Sequence, residues 1–284
     1  MKKHWYILAL IATIFSSCGN DHDELLPNNN DGELKVLEYC PAPGQFINDG
    51  YNCQTMDEAN TYAEERFKKK GFVSLGAFGG YITVKMPKEI KNRKGYDFAI
   101  IGNPFSGSSE PGIVWVSRDD NGNGKADDVW YELNGSDETT RDYSVTYYRP
   151  DEIGDIPWED NQGESGTITH LPQFHKQMYY PNWIKTSSYT LTGSKLEPRT
   201  EQVEGEWHNK DFGEGYADNW GKDIAKDEYG NYRYNQFDLD NAVDSNGDPV
   251  QLESIHFVKV QSAILKNAGV IGEVSTEVAG FKAF

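Results

Sequence analysis

Two alternating apolar runs, Ile113 to Val116 and Val129 to Leu133, flank one acidic loop. The loop reads Asp119-Asp120-Asn121-Gly122-Asn123-Gly124-Lys125-Ala126-Asp127-Asp128. A period of two is the mark of a half-buried strand, so the segment predicts a β-hairpin closed by this loop. Short oxygen-bearing side chains recur at every second residue, then comes a glycine, then two more carboxylates. That pattern wraps a hard cation. Against the EF-hand spacing, Asp119, Asn121 and Asn123 stand at positions one, three and five. Gly124 takes the sharp turn at six, and Lys125 offers its backbone carbonyl. Asp127 and Asp128 stand at nine and ten. Position twelve is Trp130, so the bidentate Glu of an EF-hand is missing, and the flanks are strands, not helices. The expected cation is calcium in a structural role, with Asp119, Asn121, Asn123, Lys125, Asp127 and Asp128 as ligands. The alternative is a plain Asn-Gly turn with solvated acids.

The rest of the chain fits a β protein. Thr55-Met56-Asp57-Glu58 forms a capping-box pattern. Ala59, Tyr62, Ala63 and Phe67 then share one helical face, and Gly71 predicts the stop. Short strands are expected at 72–75, 81–86, 98–101, 142–148, 237–239 and 254–260. Gly79-Gly80 predicts a bulge or a close backbone approach. In the last strand Ile255, Phe257 and Lys259 are expected to face away from His256, Val258 and Val260. Asp244 to Pro249 predicts an ordinary hairpin turn. No fixed-period repeat is present, which disfavours a solenoid or propeller. Residues 34–284 read as a single domain, with a long ordered elaboration at about 149–235.

Charge narrows the function. Lys and Arg total 27 against 45 Asp and Glu, a net charge of −18. Such an excess repels a phosphate backbone and argues against nucleic acid. The N-terminus has two lysines, an apolar run from Trp5 to Phe15, and then Ser16-Ser17-Cys18-Gly19. The run is too short for a bilayer-spanning helix. The segment resembles a bacterial lipoprotein signal, with 1–17 as the leader, Cys18 as the lipidated residue and 18–33 as an acidic tether. Cys40 and Cys53 are then either a disulfide or two separate thiols.

Tyr, Trp and Phe make up 13% of the chain, and the elaboration is rich in Tyr and Trp. Planar rings in polar segments suggest a ligand surface. The candidates are Tyr179, Tyr180, Trp183, His175, Trp207, Tyr216 and Trp220; the competing reading is that they pack a long loop onto the sheets. No nucleophile elbow is present and no acid pair stands out for glycoside hydrolysis, so no catalytic residue is assigned and an enzyme is disfavoured.

Several stretches together resemble a family of bacterial cell-surface proteins. They are Ser74 to Ile82, Asp97-Phe98, Gly102 to Phe105, Ser109 to Val116, Ile255 to Val260 and Gly272 to Val278. The resemblance covers most of residues 36–281. It implies an all-β jelly-roll sandwich similar to galactose-binding and discoidin-like domains. Members in gut Bacteroidetes are lipoproteins anchored to the outer membrane and facing the cell exterior. Some look like companions of the outer-membrane cobalamin transporter. The resemblance therefore implies capture of a corrinoid such as vitamin B12 and delivery to a TonB-dependent importer. A carbohydrate-binding lipoprotein of a glycan-import system, and a structural or adhesive surface protein, are the alternatives.

Overall fold

A computed structural model of the chain describes residues 33–227, 230 and 233–284. The leader, Cys18 and residues 18–32 of the tether lie outside them. The chain begins with β1 (Lys35–Cys40), α1 (Met56–Lys68), β2 (Val73–Ser74), β3 (Tyr81–Lys91) and β4 (Phe98–Gly102). The hairpin follows as β5 (Gly112–Ser117) and β6 (Trp130–Leu133). Strand β7 (Thr140–Tyr148) comes next, and the elaboration contributes β8 (Ile156–Asp160), β9 (Ser165–Ile168) and β10 (Ser188–Lys195). It continues with β11 (Thr200–Val203), β12 (Glu206–Asn209) and β13 (Ile224–Lys226). The remaining strands are β14 (Arg233–Phe237), β15 (Ala242–Val243), β16 (Ser254–Ser262), β17 (Glu277–Val278) and β18 (Gly280–Ala283).

The described residues form an all-β fold with one α-helix. A six-stranded sheet, β1-β3-β16-β5-β6-β15, shares its core with a four-stranded sheet, β13-β14-β4-β18. Alternation explains the pairing. Val84, Val116, Val258 and Val260 point inward from the first sheet, and Phe98, Ile100, Phe237 and Phe281 meet them from the second. Burying such side chains is worth about 1.5–3 kcal/mol each. Helix α1 lays Ala59, Ala63 and Phe67 on the same core. A second four-stranded sheet, β10-β7-β8-β9, carries a core of its own.

Local signals behave as the sequence predicts, with two adjustments. Thr55 caps α1 by accepting from Glu58 N at 3.2 Å, while Glu58 accepts from Gln54 N at 2.7 Å. The left-handed residue at the helix end is Lys70 (φ 55°), not Gly71. Gly71 N then reaches back to Arg66 O at 2.8 Å. In β16 a register shift between Ile255 and Phe257 turns Ile255 into the core with Val258 and Val260. Gly80 is a close approach: a Cβ there would lie 1.8 Å from Leu75 O.

Of the two readings of Cys40 and Cys53, the structure has separate thiols; both are free. Cys40 packs against the core of the smaller sheet and Cys53 lies in the main core beside α1. The two side chains thus serve different clusters, and burial raises both thiols above their ordinary range.

Candidate functional site

The hairpin forms as predicted: β5 pairs antiparallel with β6, Trp115 opposite Glu132 and Ser117 opposite Trp130. The acidic loop between them is an inward-turned ladder. Asp119 Oδ2 accepts from Gly124 N at 2.9 Å, Asn121 Oδ1 from Asn123 N at 2.9 Å, and Asn123 Oδ1 from Lys125 N at 2.7 Å. Gly122 and Gly124 supply φ values of 68° and 74°, which side chains with a Cβ rarely adopt. The loop rests on the sheet through Asp119 N donating to His256 Nδ1 at 3.1 Å and Lys85 Nζ donating to Gly124 O at 3.4 Å.

Two oxygens of this loop test its fitness for a cation. Asp119 Oδ1 and Asp128 Oδ2 are shielded from solvent and have no hydrogen-bond partner. An orphaned carboxylate oxygen costs about 1–3 kcal/mol or more, and a hard cation is the partner that oxygen donors favour. Asn121 and Asn123 each retain a lone pair on the amide oxygen. Asp127 is placed differently. Its oxygens accept from the Nδ2 groups of Asn123 and Asn121 at 3.1–3.2 Å, and those bonds hold its carboxyl below the ordinary range. The donor set fits calcium, with Asp119 and Asp128 as its anionic ends.

The aromatic candidates of the elaboration are packed inside. Tyr179, Tyr180 and Tyr216 are fully buried and Trp183 is 6% exposed. Each polar tip is satisfied internally. Tyr179 Oη accepts from Leu171 N at 3.1 Å, Tyr180 Oη donates to Thr186 O at 3.0 Å, and Tyr216 Oη accepts from Asp137 N at 2.8 Å. Trp183 Nε1 donates to Tyr39 O at 3.2 Å. Four of the expected ligand contacts are therefore core residues, and the packing reading holds for them. The other three are half-buried and separately engaged. His175 pairs with Asp49 at 3.1 Å. Trp207 lies so close over Gly269 that a Cβ there would meet its Nε1 at 2.3 Å. Trp220 is flanked by Lys226 and Arg233, at 5.5 and 5.3 Å from its ring.

A second acidic feature escaped the sequence reading. Glu110, Asp218 and Glu277 bring one oxygen each within 4.8 Å of one another. Asp218 and Glu277 are buried; Glu110 is half-buried. Asp218 accepts from Asn103 N at 2.9 Å and Glu277 N at 2.8 Å, and Glu277 accepts from Ser275 Oγ at 2.8 Å. Burial first, and for Glu110 and Glu277 the neighbouring carboxylates next, push all three carboxyls above their ordinary values. A trio of this kind requires shared protons or a cation to offset its charge. The signal in the sequence is faint: single acids inside apolar or small-residue runs, as in Val274-Ser275-Thr276-Glu277-Val278.

A cleft of about 400 Å³ lies beside the β11–β12 hairpin, lined among others by Glu201, His208, Lys210 and Asp211. Glu201 and Lys210 already neutralise one another at 2.6 Å. The rings of the hairpin itself reach solvent more than those of the elaboration's core: Trp115 and Trp130 are half-buried on the outer face of the large sheet, beside Tyr81. No family model matches the chain, and no curated protein matches it either.

Proposed function

We propose that this protein is a calcium-stabilised binding protein of the cell exterior, lipid-anchored through Cys18, that captures a ligand and passes it to an outer-membrane importer. The observation that carries the reading is the clasp. Two sealed carboxylate oxygens without a protein partner sit in a loop whose strands present Trp115 and Trp130. Calcium at millimolar levels is a resource of the cell exterior, and loops of this kind bind it there. A corrinoid is the ligand that the family resemblance implies, with a TonB-dependent transporter as recipient. A glycan is the second reading, supported by the half-buried indoles on a sheet face, because ring faces stack on sugars.

Titration of the chain from residue 18 onward with cyanocobalamin and with a glycan panel tests this directly. Micromolar binding of one class assigns the ligand. Failure of both, in calcium-loaded protein, sinks the capture function and leaves an adhesive or structural role.

A further inference from the structure

The large sheet has one face turned away from the main core. Register puts Glu38, Thr83, Lys259, Trp115 and Glu132 in one row across β1, β3, β16, β5 and β6. Tyr81 and Trp130 stand in the flanking rows on the same face, because side chains two apart share a side. The smaller sheet roofs one end of it. There Gln261 Nε2 donates to Thr192 O at 2.9 Å, and Ser194 Oγ donates to Glu132 at 2.5 Å. Past that roof Lys259, Trp115, Trp130 and Tyr81 are all half-buried; Tyr81 leans on the smaller sheet's core and Trp115 on a third buried cluster, which leaves the remainder of each ring to the face.

Lys259 is the centre of this face. Its ammonium lies 4.9 Å from the Trp130 ring, 5.1 Å from Trp115 and 5.9 Å from Tyr81. It makes no ion pair with any described residue. Burial pulls the ammonium down to about 8, against the opposing charge of Glu38. Ring quadrupoles offset part of the cost of a desolvated cation, yet a carboxylate or phosphate offsets far more. The setting makes this unusual. In a chain of net charge −18, acids outnumber bases 45 to 27, yet the acid nearest in the row, Glu38, acts on Lys259 without forming an ion pair with it. Trp115 Nε1, on one of the rings around the ammonium, is a shielded donor without a partner.

We propose that this face is the ligand site, and that it takes an anionic ligand with a broad ring face: a carboxylate or phosphate on Lys259, and ring surface against Trp115 and Trp130. The inference rests on the capture function above and names its chemistry. Two sources share that chemistry, an oligosaccharide of uronic acids and a corrinoid bearing its phosphodiester arm. The clasp gains a purpose from it. Trp130 follows Asp128 by two residues, so a cation holding Asp128 also fixes where the indole stands.

The test is calorimetric titration of the calcium-loaded chain at pH 7 with four probes: oligogalacturonate, its methyl ester, cyanocobalamin, and a corrinoid lacking the phosphodiester arm. At least one acidic member should bind tenfold or more tightly than its neutral partner. Lys259→Met should erase that preference, and Lys259→Arg should keep most of it. Should Lys259→Met fail to fold, Trp130→Ala is expected to cost the preferred probe tenfold or more. Equal binding of acidic and neutral members overturns the proposal, as does a preference that survives Lys259→Met; in either case capture stands and its site lies elsewhere. Silence from all four probes overturns this inference, and the capture reading then stands or falls on the wider glycan panel.

Discussion

The hairpin at 112–133 and the elaboration at 149–235 are both rich in aromatic rings, and they use them in opposite ways. In the elaboration Tyr179 and Tyr180 close a small core whose sheet supplies few aliphatic side chains. Tyr fills that volume: the tips of Tyr147, Tyr179, Tyr180 and Tyr189 are bonded to backbone and that of Tyr143 to Asp160. In the hairpin the aliphatic residues Val114 and Val116 take the main core, so the indoles of Trp115 and Trp130 are left to the outer face, where Trp115 packs in part against a third buried cluster that includes Leu196, Phe212 and Ile264. Aromatic abundance therefore does not locate a ligand surface. What separates the two sets of rings is how completely another layer covers them.

The sharpest way to break this contrast is Trp183→Ala. As a core residue, its truncation should cost about 3–5 kcal/mol of stability, read as a large drop in the denaturation midpoint. Residual folded protein should bind ligand normally. A variant that folds as well as wild type but loses ligand would return the binding surface to the elaboration.

Removing calcium is next in size. A ligand bound only by the native state stabilises it by RT ln(1 + [L]/Kd), about 2.7 kcal/mol at a hundredfold excess over Kd. Excess chelator should lower the melting temperature of the wild type accordingly. Asp119→Ala should melt at the chelated value and no longer respond to chelator. An unchanged melting temperature in the wild type would dismiss the clasp as a cation site and leave a plain turn.

These two regions also differ in how legible they were. The hairpin, its loop and the capped helix are local: Thr55 meets Glu58, and Asp119 meets Gly124, within a few residues. Alternation in β5 and β16 assigned their faces because a period of two is fixed by the backbone; only the shift at Ile255 departed from it. The burial of Tyr179 and Tyr180 depends instead on distant partners. Asn48 Nδ2 binds Met178 O and Tyr180 O at 2.8 and 2.9 Å, from more than a hundred residues away. No period encodes that. The Glu110–Asp218–Glu277 trio was hidden for the same reason, being assembled from three segments far apart in the chain.

The trio offers a smaller, pH-dependent effect. Its carboxyls titrate higher in the folded state than in the unfolded chain. The folded state thus binds more protons near neutrality, and stability falls as pH rises. The stabilisation is complete below the ordinary carboxylate range, about pH 4, and is lost as pH climbs through the raised values. Glu277→Gln mimics the protonated carboxyl. It should flatten the decline and gain on the order of 1–3 kcal/mol at pH 8, the scale of an unsatisfied buried polar group. Running the pair in the Asp119→Ala background separates the trio from the clasp. A wild-type melting temperature that rises from pH 5 to pH 8 would contradict the proton-sharing account.

The smallest expected effect concerns Cys40 and Cys53. They sit in the two cores that the comparison separates, one thiol against each. A native disulfide in that place would stabilise the fold by about 2–4 kcal/mol through the unfolded chain, and a reductant would remove it. With both thiols free, added reductant should leave the melting temperature unchanged, and Cys40→Ser should cost only the modest penalty of a half-buried polar swap, about 1 kcal/mol. A drop of several degrees on reduction would mean that the thiols pair in solution. Strand β1, which carries Cys40, would then have to shift relative to Cys53, and with it the Glu38 end of the face around Lys259. Thiol counting in denaturant without reductant, with two expected per chain from residue 33 onward if both are free, decides between these states without any variant.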